Sequence, residues 1–231
     1  MGGIAALSDI ARGLEQAAPE QILEWALHEY RDRIALACSF GGPTGLVALD
    51  MALAMDSSVT VYYLDTDLLF PQTYALIERV SKRYGISPIA VASELSLEEQ
   101  SELYGEALWK RNPDRCCELR KVEPQARFLQ DYAAWITGVR RDQTRDRLST
   151  PVVQWDQRFE LVKVSPFVSW DEQMVWTYVR AHDLDYNELH DRSYPSIGCT
   201  HCTRAVEAGA DARSGRWPDV AKLECGLHVR D

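Results

Sequence analysis

Ile34-Ala35-Leu36-Ala37-Cys38-Ser39-Phe40-Gly41-Gly42-Pro43-Thr44-Gly45-Leu46 is the stretch from which the fold of this chain is read. Its first five residues form a short, unbroken apolar run, the pattern of a strand buried on both faces. The glycine-rich turn that follows leads directly into an apolar helical stretch over residues 46–55. Such a strand, turn and helix has a chemical use. Glycines let the backbone approach an anion, and the unpaired amides and dipole of the helix's first turn favour negative charge there. The turn matches neither the Walker A pattern, for want of its lysine, nor the dinucleotide fingerprint. Taken alone, it suits a plain strand-to-helix turn as well as a phosphate cradle. Cys38, at the strand's end, reads as a small buried hydrophobe.

Outward from that turn the pattern alternates. Ile22, Leu23, Ala26, Leu27 and Tyr30 share one face at helical spacing, which predicts an amphipathic helix over Pro19–Tyr30. Residues 59–64 read as a second strand ending in Asp65-Thr66-Asp67, Pro71–Tyr84 as a helix with proline in its first turn, and residues 86–91 as a third strand. Ser96-Leu97-Glu98-Glu99 reads as a capping box that opens a helix running toward Lys110. Residues 133–139 form a further strand leading into the basic loop Arg140-Arg141-Asp142-Gln143-Thr144-Arg145. Residues 152–155 and 159–164 flank a short polar turn, as in a hairpin. Ser169-Trp170-Asp171-Glu172 reads as a second capping box, for a helix ending near His182. The alternation implies an α/β fold with a mostly parallel sheet, helices on both faces, and a ligand crevice beyond the strands' carboxyl ends. Residues 39–45 and 65–67 both fall at that edge.

With 231 residues, 46% hydrophobic and 26% charged, the chain is expected to be one large soluble domain, and no apolar run approaches the length of a membrane span. A net charge of -10 argues against non-specific adhesion to nucleic acid or to anionic membranes. Local basic clusters remain for small anions: Arg115, Arg120 and Lys121; Arg140, Arg141, Arg145 and Arg147; Arg213 and Arg216. Each arginine alone reads as solvated surface charge, and its position beside cysteines or loop glycines is what gives it functional weight. Met1-Gly2-Gly3-Ile4-Ala5-Ala6 carries no basic stretch before an apolar core, and Ala6 stands where a myristoylation signal wants Ser or Thr, so the cytoplasm is the expected compartment. Whether the chain forms a homo-oligomer is left open.

Six cysteines outside a secretory context point to metal, cluster or redox chemistry rather than a disulfide framework. Cys116-Cys117 and Cys199-Thr200-His201-Cys202 pair naturally as two halves of a four-thiolate site. Vicinal cysteines rarely bond to each other, because the ring strains the peptide between them. A vicinal pair with one C-x-x-C suits a four-iron four-sulfur cluster better than tetrahedral zinc, which usually takes two separated C-x-x-C knuckles. The cluster's negative charge would be offset by Arg115, Arg120, Lys121 and Arg204. The plainer alternative is two unrelated, inert thiol pairs. His201, inside the C-x-x-C loop, is open to two readings, a ligand or a surface imidazole beside the site, and the second is preferred because four thiolates already complete the site. Cys225 stands alone near the chain's end, between Glu224, which opposes thiolate formation, and His228, which favours it.

Together these residues resemble the assimilatory adenylyl-sulfate reductases of bacteria, within the phosphoadenylyl-sulfate reductase family. The resemblance runs from about Cys38 to His228. It rests on Ser39-Phe40-Gly41, Leu64-Asp65-Thr66 with Leu69-Phe70-Pro71, Cys116-Cys117 with Arg120-Lys121-Val122, Arg140-Arg141-Asp142-Gln143, Tyr194-Pro195-Ser196-Ile197-Gly198-Cys199 with Cys202-Thr203-Arg204, and Glu224-Cys225-Gly226-Leu227-His228. It implies an adenine-nucleotide α-hydrolase-like fold, with a nucleotide-binding domain over residues 1–208 and a mobile tail over 209–231. It further implies a 4Fe-4S cluster on Cys116, Cys117, Cys199 and Cys202, and Cys225 as nucleophile assisted by Lys121 and His228. Substrate would be held by Ser39, Phe40, Gly41, Asp65, Arg140, Arg213 and Arg216.

The implied reaction takes adenosine 5'-phosphosulfate to sulfite and AMP through an S-sulfocysteine, with thioredoxin or a similar dithiol as reductant, in sulfate assimilation. The alternatives are the same reaction on the 3'-phosphorylated nucleotide, and a non-redox nucleotide-binding protein with a structural zinc site. The chain departs from its relatives in the phosphate-side loop, where they carry an acidic residue and it reads Gly42-Pro43-Thr44-Gly45.

Overall fold

The computed structural model describes residues 2–218, 220, 222 and 224–228. A helix not foreseen in the sequence, α1 (Gly2–Leu14), precedes α2 (Pro19–Tyr30), whose proline occupies the first turn. The chain then enters β1 (Ile34–Ala37) and turns through the glycines into α3 (Pro43–Met55). β2 (Thr60–Asp65), α4 (Pro71–Tyr84) and β3 (Ile89–Ala92) follow. The third strand begins three residues later than expected. Gly85 caps α4 in the left-handed region at φ 66, and the Ile86 amide donates back to the Ser81 carbonyl, so Ile86 belongs to the helix end.

The expected helix from residue 97 toward Lys110 is two elements, α5 (Leu97–Tyr104) and α6 (Leu108–Arg111), broken at Gly105 and at Ala107, both with positive φ. Ser96 accepts the Glu99 amide and completes the foreseen capping box. The next helical run carries chemistry and was not anticipated. It comprises α7 (Pro113–Cys117), a π-turn over Glu118–Val122 and α8 (Glu123–Leu129). Pro124 has no amide hydrogen, and its ring conflicts with the carbonyl four residues back, that of Arg120, so the widened turn falls where the proline demands it.

β4 (Ala134–Thr137) is followed by the hairpin of β5 (Val153–Asp156) and β6 (Leu161–Val164), and then by α9 (Glu172–Ala181). The cap of α9 is Asp171, which accepts the Met174 amide, rather than Ser169. The Glu172 amide donates instead to Asp142, which ties the start of α9 to the loop after β4.

The six strands form one sheet in the order β3-β2-β1-β4-β6-β5, parallel except where β5 pairs with β6. Alternate strand residues feed two cores. Ile34, Leu36, Ile136 and Val164 pack with α2, α3, α4 and α9 on one face. Ala35, Tyr62, Trp135 and Leu161 pack under the π-turn and α8 on the other. The chain runs from β1 to β2 on one side and places β4 on the other, so the strand order reverses between β1 and β4. That is the switch point at which α/β sheets open a ligand crevice. Among the described residues no helix is long and apolar enough to cross a membrane.

Candidate active site

A cleft of about 360 Å³ opens at that switch point. Its floor is the glycine turn after β1, held from behind: Asn187 Nδ2 donates to the Phe40 carbonyl at 3.1 Å, and His190 Nε2 lies 2.9 Å from the Gly41 carbonyl. A Cβ on Gly41 would stand 2.8 Å from the Ile197 carbonyl oxygen, so glycine is what lets the segment before Cys199 close against the turn. Ser39, Gly41, Lys121, Arg140, Arg213, Arg216, Cys199, Cys225 and His228 all line the cleft.

Two expected substrate residues do not. The Phe40 side chain is fully buried, edge-on to Tyr63, because the turn's positive φ at this residue points it into the core. Asp65 is engaged by the Tyr74 hydroxyl at 2.7 Å and the Asp67 amide at 3.0 Å, and so shapes the loop after β2.

Arg140 is buried. It donates Nε and Nη2 to Asp142 at 2.9 and 3.1 Å, and Nη1 to Thr44 Oγ1 at 2.7 Å. In this chain, therefore, the atypical loop contributes Thr44 as a partner of Arg140. Arg216 rests over Trp217 with its guanidinium carbon 4.6 Å from the ring centroid, and donates Nη1 to Ser196 Oγ. Six buried polar atoms of cleft residues have no hydrogen-bond partner: Tyr62 Oη, Gln125 Nε2, Trp135 Nε1, Arg216 Nε, Trp217 Nε1 and His228 Nδ1. Unpartnered buried donors are rare away from functional sites, and their concentration here marks the cleft as built for a polar ligand.

Beside the cleft, four buried cysteines gather from two directions. Cys116 and Cys117 come from α7, and Cys199 and Cys202 from a single turn sewn to the loop after β2. The Thr200 amide donates to the Leu68 carbonyl at 2.8 Å, and Thr66 Oγ1 lies 3.3 Å from Cys199 Sγ. None of the six cysteines is in a disulfide. Burial pushes the Cys116 thiol up to about 12 and the Cys202 thiol up to about 11, with neighbouring thiolates adding to each. Burial likewise raises Cys117, against the opposing charge of Lys121.

As the side chains stand, no three His, Cys, Asp or Glu among the described residues form a group that could hold a metal ion. The four thiols are thus neighbours that do not converge on one point. Of the cations expected to offset a cluster, Arg115 pairs with Glu123 at 2.9 Å and Arg120 with Asp67 at 2.6 Å. The charge felt by the thiols is that of Lys121, with Lys222 acting on Cys117 and Arg216 on Cys202. His201 is exposed and stacks on Trp109, with centroids 4.2 Å apart.

Lys121, presented by the π-turn, feels the charge of both the gathered thiols and Cys225. Burial would lower its value, but the charges of Cys199, Cys225 and Cys117 more than compensate and raise it, so it stays a cation. Cys225 behaves unlike its neighbours. Burial opposes its ionisation, yet Lys121, the Leu227 amide and Arg216 together bring it below the ordinary 9.0. His228 lies parallel to Trp135, with centroids 5.7 Å apart. Burial, then Lys163, Arg147 and Arg213, hold its imidazole well below 6.5. It is therefore neutral and cannot be the thiolate's counter-ion, a part that falls to Lys121.

One site residue escaped the sequence reading. Arg147, in the short turn Arg145–Arg147, grips Glu224 beside Cys225. Its only sequence signal was membership of a basic cluster.

The fold agrees with what known proteins look like. The chain is 50% identical over 209 residues to the adenosine 5'-phosphosulfate reductase of Shouchella clausii, covering 90% of this chain and 86% of that protein. It is 47% identical over 216 residues to the protein of the same name from Salinibacter ruber, covering 93% and 85%. Among solved structures, the phosphoadenylyl-sulfate reductase of Candida auris, crystallised with phosphate, superposes with a TM-score of 0.74 at 30% identity, covering 87% of this chain and 96% of that one. The phosphoadenosine phosphosulfate reductase domain matches residues 33–205, which hold the glycine turn, the four gathered cysteines and Lys121. With the parallel sheet, the switch-point cleft and these likenesses in agreement, the chain belongs to the phosphoadenosine phosphosulfate reductase domain family.

Proposed function

We propose that the chain reduces adenosine 5'-phosphosulfate to sulfite and AMP, with Cys225 as nucleophile and a thioredoxin-type dithiol as electron donor. The observation that carries this reading is the tail thiol itself. Cys225 lies in the cleft with the glycine turn, Lys121 and Arg216, and its ionisation is favoured where that of Cys38, Cys116, Cys117 and Cys202 is opposed. The Cys225 thiolate attacks the sulfate sulfur. The bond from that sulfur to the phosphate oxygen breaks, and its electron pair leaves with AMP. A thiolate of the dithiol then attacks Cys225 Sγ, sulfite departs with the pair of the sulfur–sulfur bond, and the second thiol resolves the mixed disulfide. Two electrons pass from dithiol to substrate sulfur, and Cys225 returns as a thiol.

Attack on an anionic sulfonyl group needs cations that offset the meeting charges, and Lys121, Arg213 and Arg216 are assigned that work. Arg140, Ser39 and Gly41 are assigned to the nucleotide, and His228, neutral, to a hydrogen bond with it. Residues 209–231 act as the tail that carries the nucleophile.

Cys116, Cys117, Cys199 and Cys202 are assigned as ligands of a 4Fe-4S cluster. Four buried soft donors without disulfides fit such a group. Zinc–thiolate bonds of about 2.3 Å would need the sulfurs to converge within about 4 Å of one another, whereas a multi-iron cluster takes one thiolate per iron. These four thiolates would hold the cluster, which would supply negative charge that the Lys121 cation offsets. Six unpaired cysteines also suit a reducing compartment, and we assign the cytoplasm. Reduction of the 3'-phosphorylated nucleotide by the same thiol chemistry draws support from the 30% identity to the Candida auris protein. Single-turnover rates on the two nucleotides separate these readings.

The test is mass spectrometry of the protein mixed with adenosine 5'-phosphosulfate and no reductant. A sulfonate adduct on Cys225, absent from Cys225→Ser, is expected. Turnover in Cys225→Ser, or an adduct on another residue, would overturn the assignment.

A further inference from the structure

Glu224 is the residue immediately before Cys225, and its carboxylate sits in a charge clasp. Arg147 donates Nε to Oε1 at 2.9 Å and Nη2 to Oε2 at 2.8 Å. The two side chains are only 9% and 11% exposed. Thr144 Oγ1 donates to Oε1 at 3.4 Å, and Arg213 Nη2 lies 3.5 Å from Oε2. Arg147 is itself anchored, since its Nη1 donates to Gln143 Oε1, which also takes the Arg140 amide at 3.1 Å. The clasp therefore reaches back to the loop that follows β4.

Of the tail's other holds near Cys225, Lys222 pairs through its single ammonium with Asp114, which is 84% exposed and so screened by solvent, and the rest are apolar. Leu227 packs among apolar side chains and His228 stacks on Trp135, contacts that tolerate sliding. A two-point guanidinium–carboxylate pair fixes both distance and direction. A carboxylate one residue from a nucleophilic thiol offers nothing to the thiol itself, because it opposes ionisation.

We propose that Glu224 is a positioning residue. Paired with Arg147, it docks the tail so that the Cys225 thiol faces Lys121, and its release from Arg147 is the motion that presents the thiol to the reductant. This rests on the reading of Cys225 as nucleophile. The two half-reactions then ask opposite things of one ion pair, since sulfonation needs it closed and reduction needs it open.

The experiment compares wild type, Glu224→Gln, Arg147→Gln and the double variant. The first readout is the rate of Cys225 alkylation by iodoacetamide, resolved by peptide mass mapping. Rates are compared at the alkaline plateau of each profile, where the thiol is fully ionised, so that altered thiol acidity does not enter. Both single variants are expected to react roughly 10- to 100-fold faster, the range of one charge-assisted hydrogen bond, with the double variant no faster than the singles. A rise of less than about threefold in Glu224→Gln, below the loss of one such bond, overturns the proposal. Glu224→Gln suffices if the more buried Arg147→Gln does not fold.

The second readout divides the cycle. In Glu224→Gln, sulfonation of Cys225 by adenosine 5'-phosphosulfate should slow, while release of sulfite from the isolated sulfonated protein by dithiothreitol should not. Equal slowing of both would mean a merely structural role and overturn the proposal. If wild type gains no sulfonate at Cys225, the nucleophile reading fails, while alkylation still judges the clasp.

Discussion

Replacing Arg120 by methionine probes the tie that fixes the π-turn beside the thiols to α5 and to the loop after β2. The Arg120 side chain is 1% exposed, and its two hydrogen-bonded arms differ in environment. Nε donates to Gln100 Oε1 at 2.7 Å, and Gln100 is 2% exposed, so this arm is fully out of water. Nη1 donates to Asp67 at 2.6 Å, but the Asp67 side chain is 47% exposed and solvent screens the pair. The screened arm is worth about 0.5–1 kcal/mol. Losing the buried charge-assisted bond costs about 1.5–3 kcal/mol, and the stranded Gln100 carbonyl adds about 1–3 kcal/mol. Removing Nη2, which is buried without a partner, returns part of this.

The net expectation for Arg120→Met is a destabilisation of about 3 kcal/mol, with Tm lowered by about 6–12 °C for a chain of this size. Asp67→Asn should cost less than about 1 kcal/mol. The assay is anaerobic urea unfolding followed by circular dichroism. If Arg120→Met costs less than about 1 kcal/mol, or Asp67→Asn costs as much as Arg120→Met, the buried arm does not carry the tie and the reasoning is wrong.

The Cys225 thiol lies below its ordinary 9.0, chiefly through Lys121, so the rate of sulfonation should rise with pH up to that lowered value and flatten above it. Lys121→Ala should move the rising limb to higher pH, and superimposable limbs in single-turnover profiles would exclude Lys121 as the counter-charge. A Cβ on Gly198 would overlap the Arg216 guanidinium. Gly198→Ala should therefore displace that head group and weaken equilibrium nucleotide binding, measured in the Cys225→Ser background, by roughly tenfold, the value of one charge-assisted bond. Cys199→Ser should lose bound iron and the brown colour of anaerobically purified protein, with metal analysis as the check. Normal iron and sulfide in that variant would remove Cys199 from the ligand set.

The order of strands and helices was legible because each leaves a local mark. The apolar run at Ile34, the proline opening α4 and the Ser96 capping box all act within a few residues. What local marks could not show was decided across the chain. The π-turn depends on Pro124 meeting the Arg120 carbonyl inside a helix that has little apolar periodicity. The start of β3 depends on the Ile86 amide being claimed by the end of α4. Likewise the cysteines announced themselves by type and spacing, and Lys121 and Arg216 through the resemblance to a known family, whereas Arg147 looked like any surface arginine until the fold brought Glu224 to it. The placement of Phe40 was hidden for a related reason. Its motif neighbours Ser39 and Gly41 line the cleft, but one positive φ turns the ring away.

The turn that holds Cys199 and Cys202 is stitched to the loop after β2, and Thr66 and Cys199, in contact there, are 133 positions apart in the sequence. The consequence is one of timing. A nascent chain presents Cys116 and Cys117 long before their partners leave the ribosome, since synthesis adds only about 5–20 residues per second. The early pair therefore spends several seconds as vicinal thiols with nothing opposite them. The thiol group cannot assemble before Cys199 and Cys202 emerge, by which point the residues of all six strands have been synthesised, so any cofactor destined for it is delivered to a chain that already holds the whole sheet sequence.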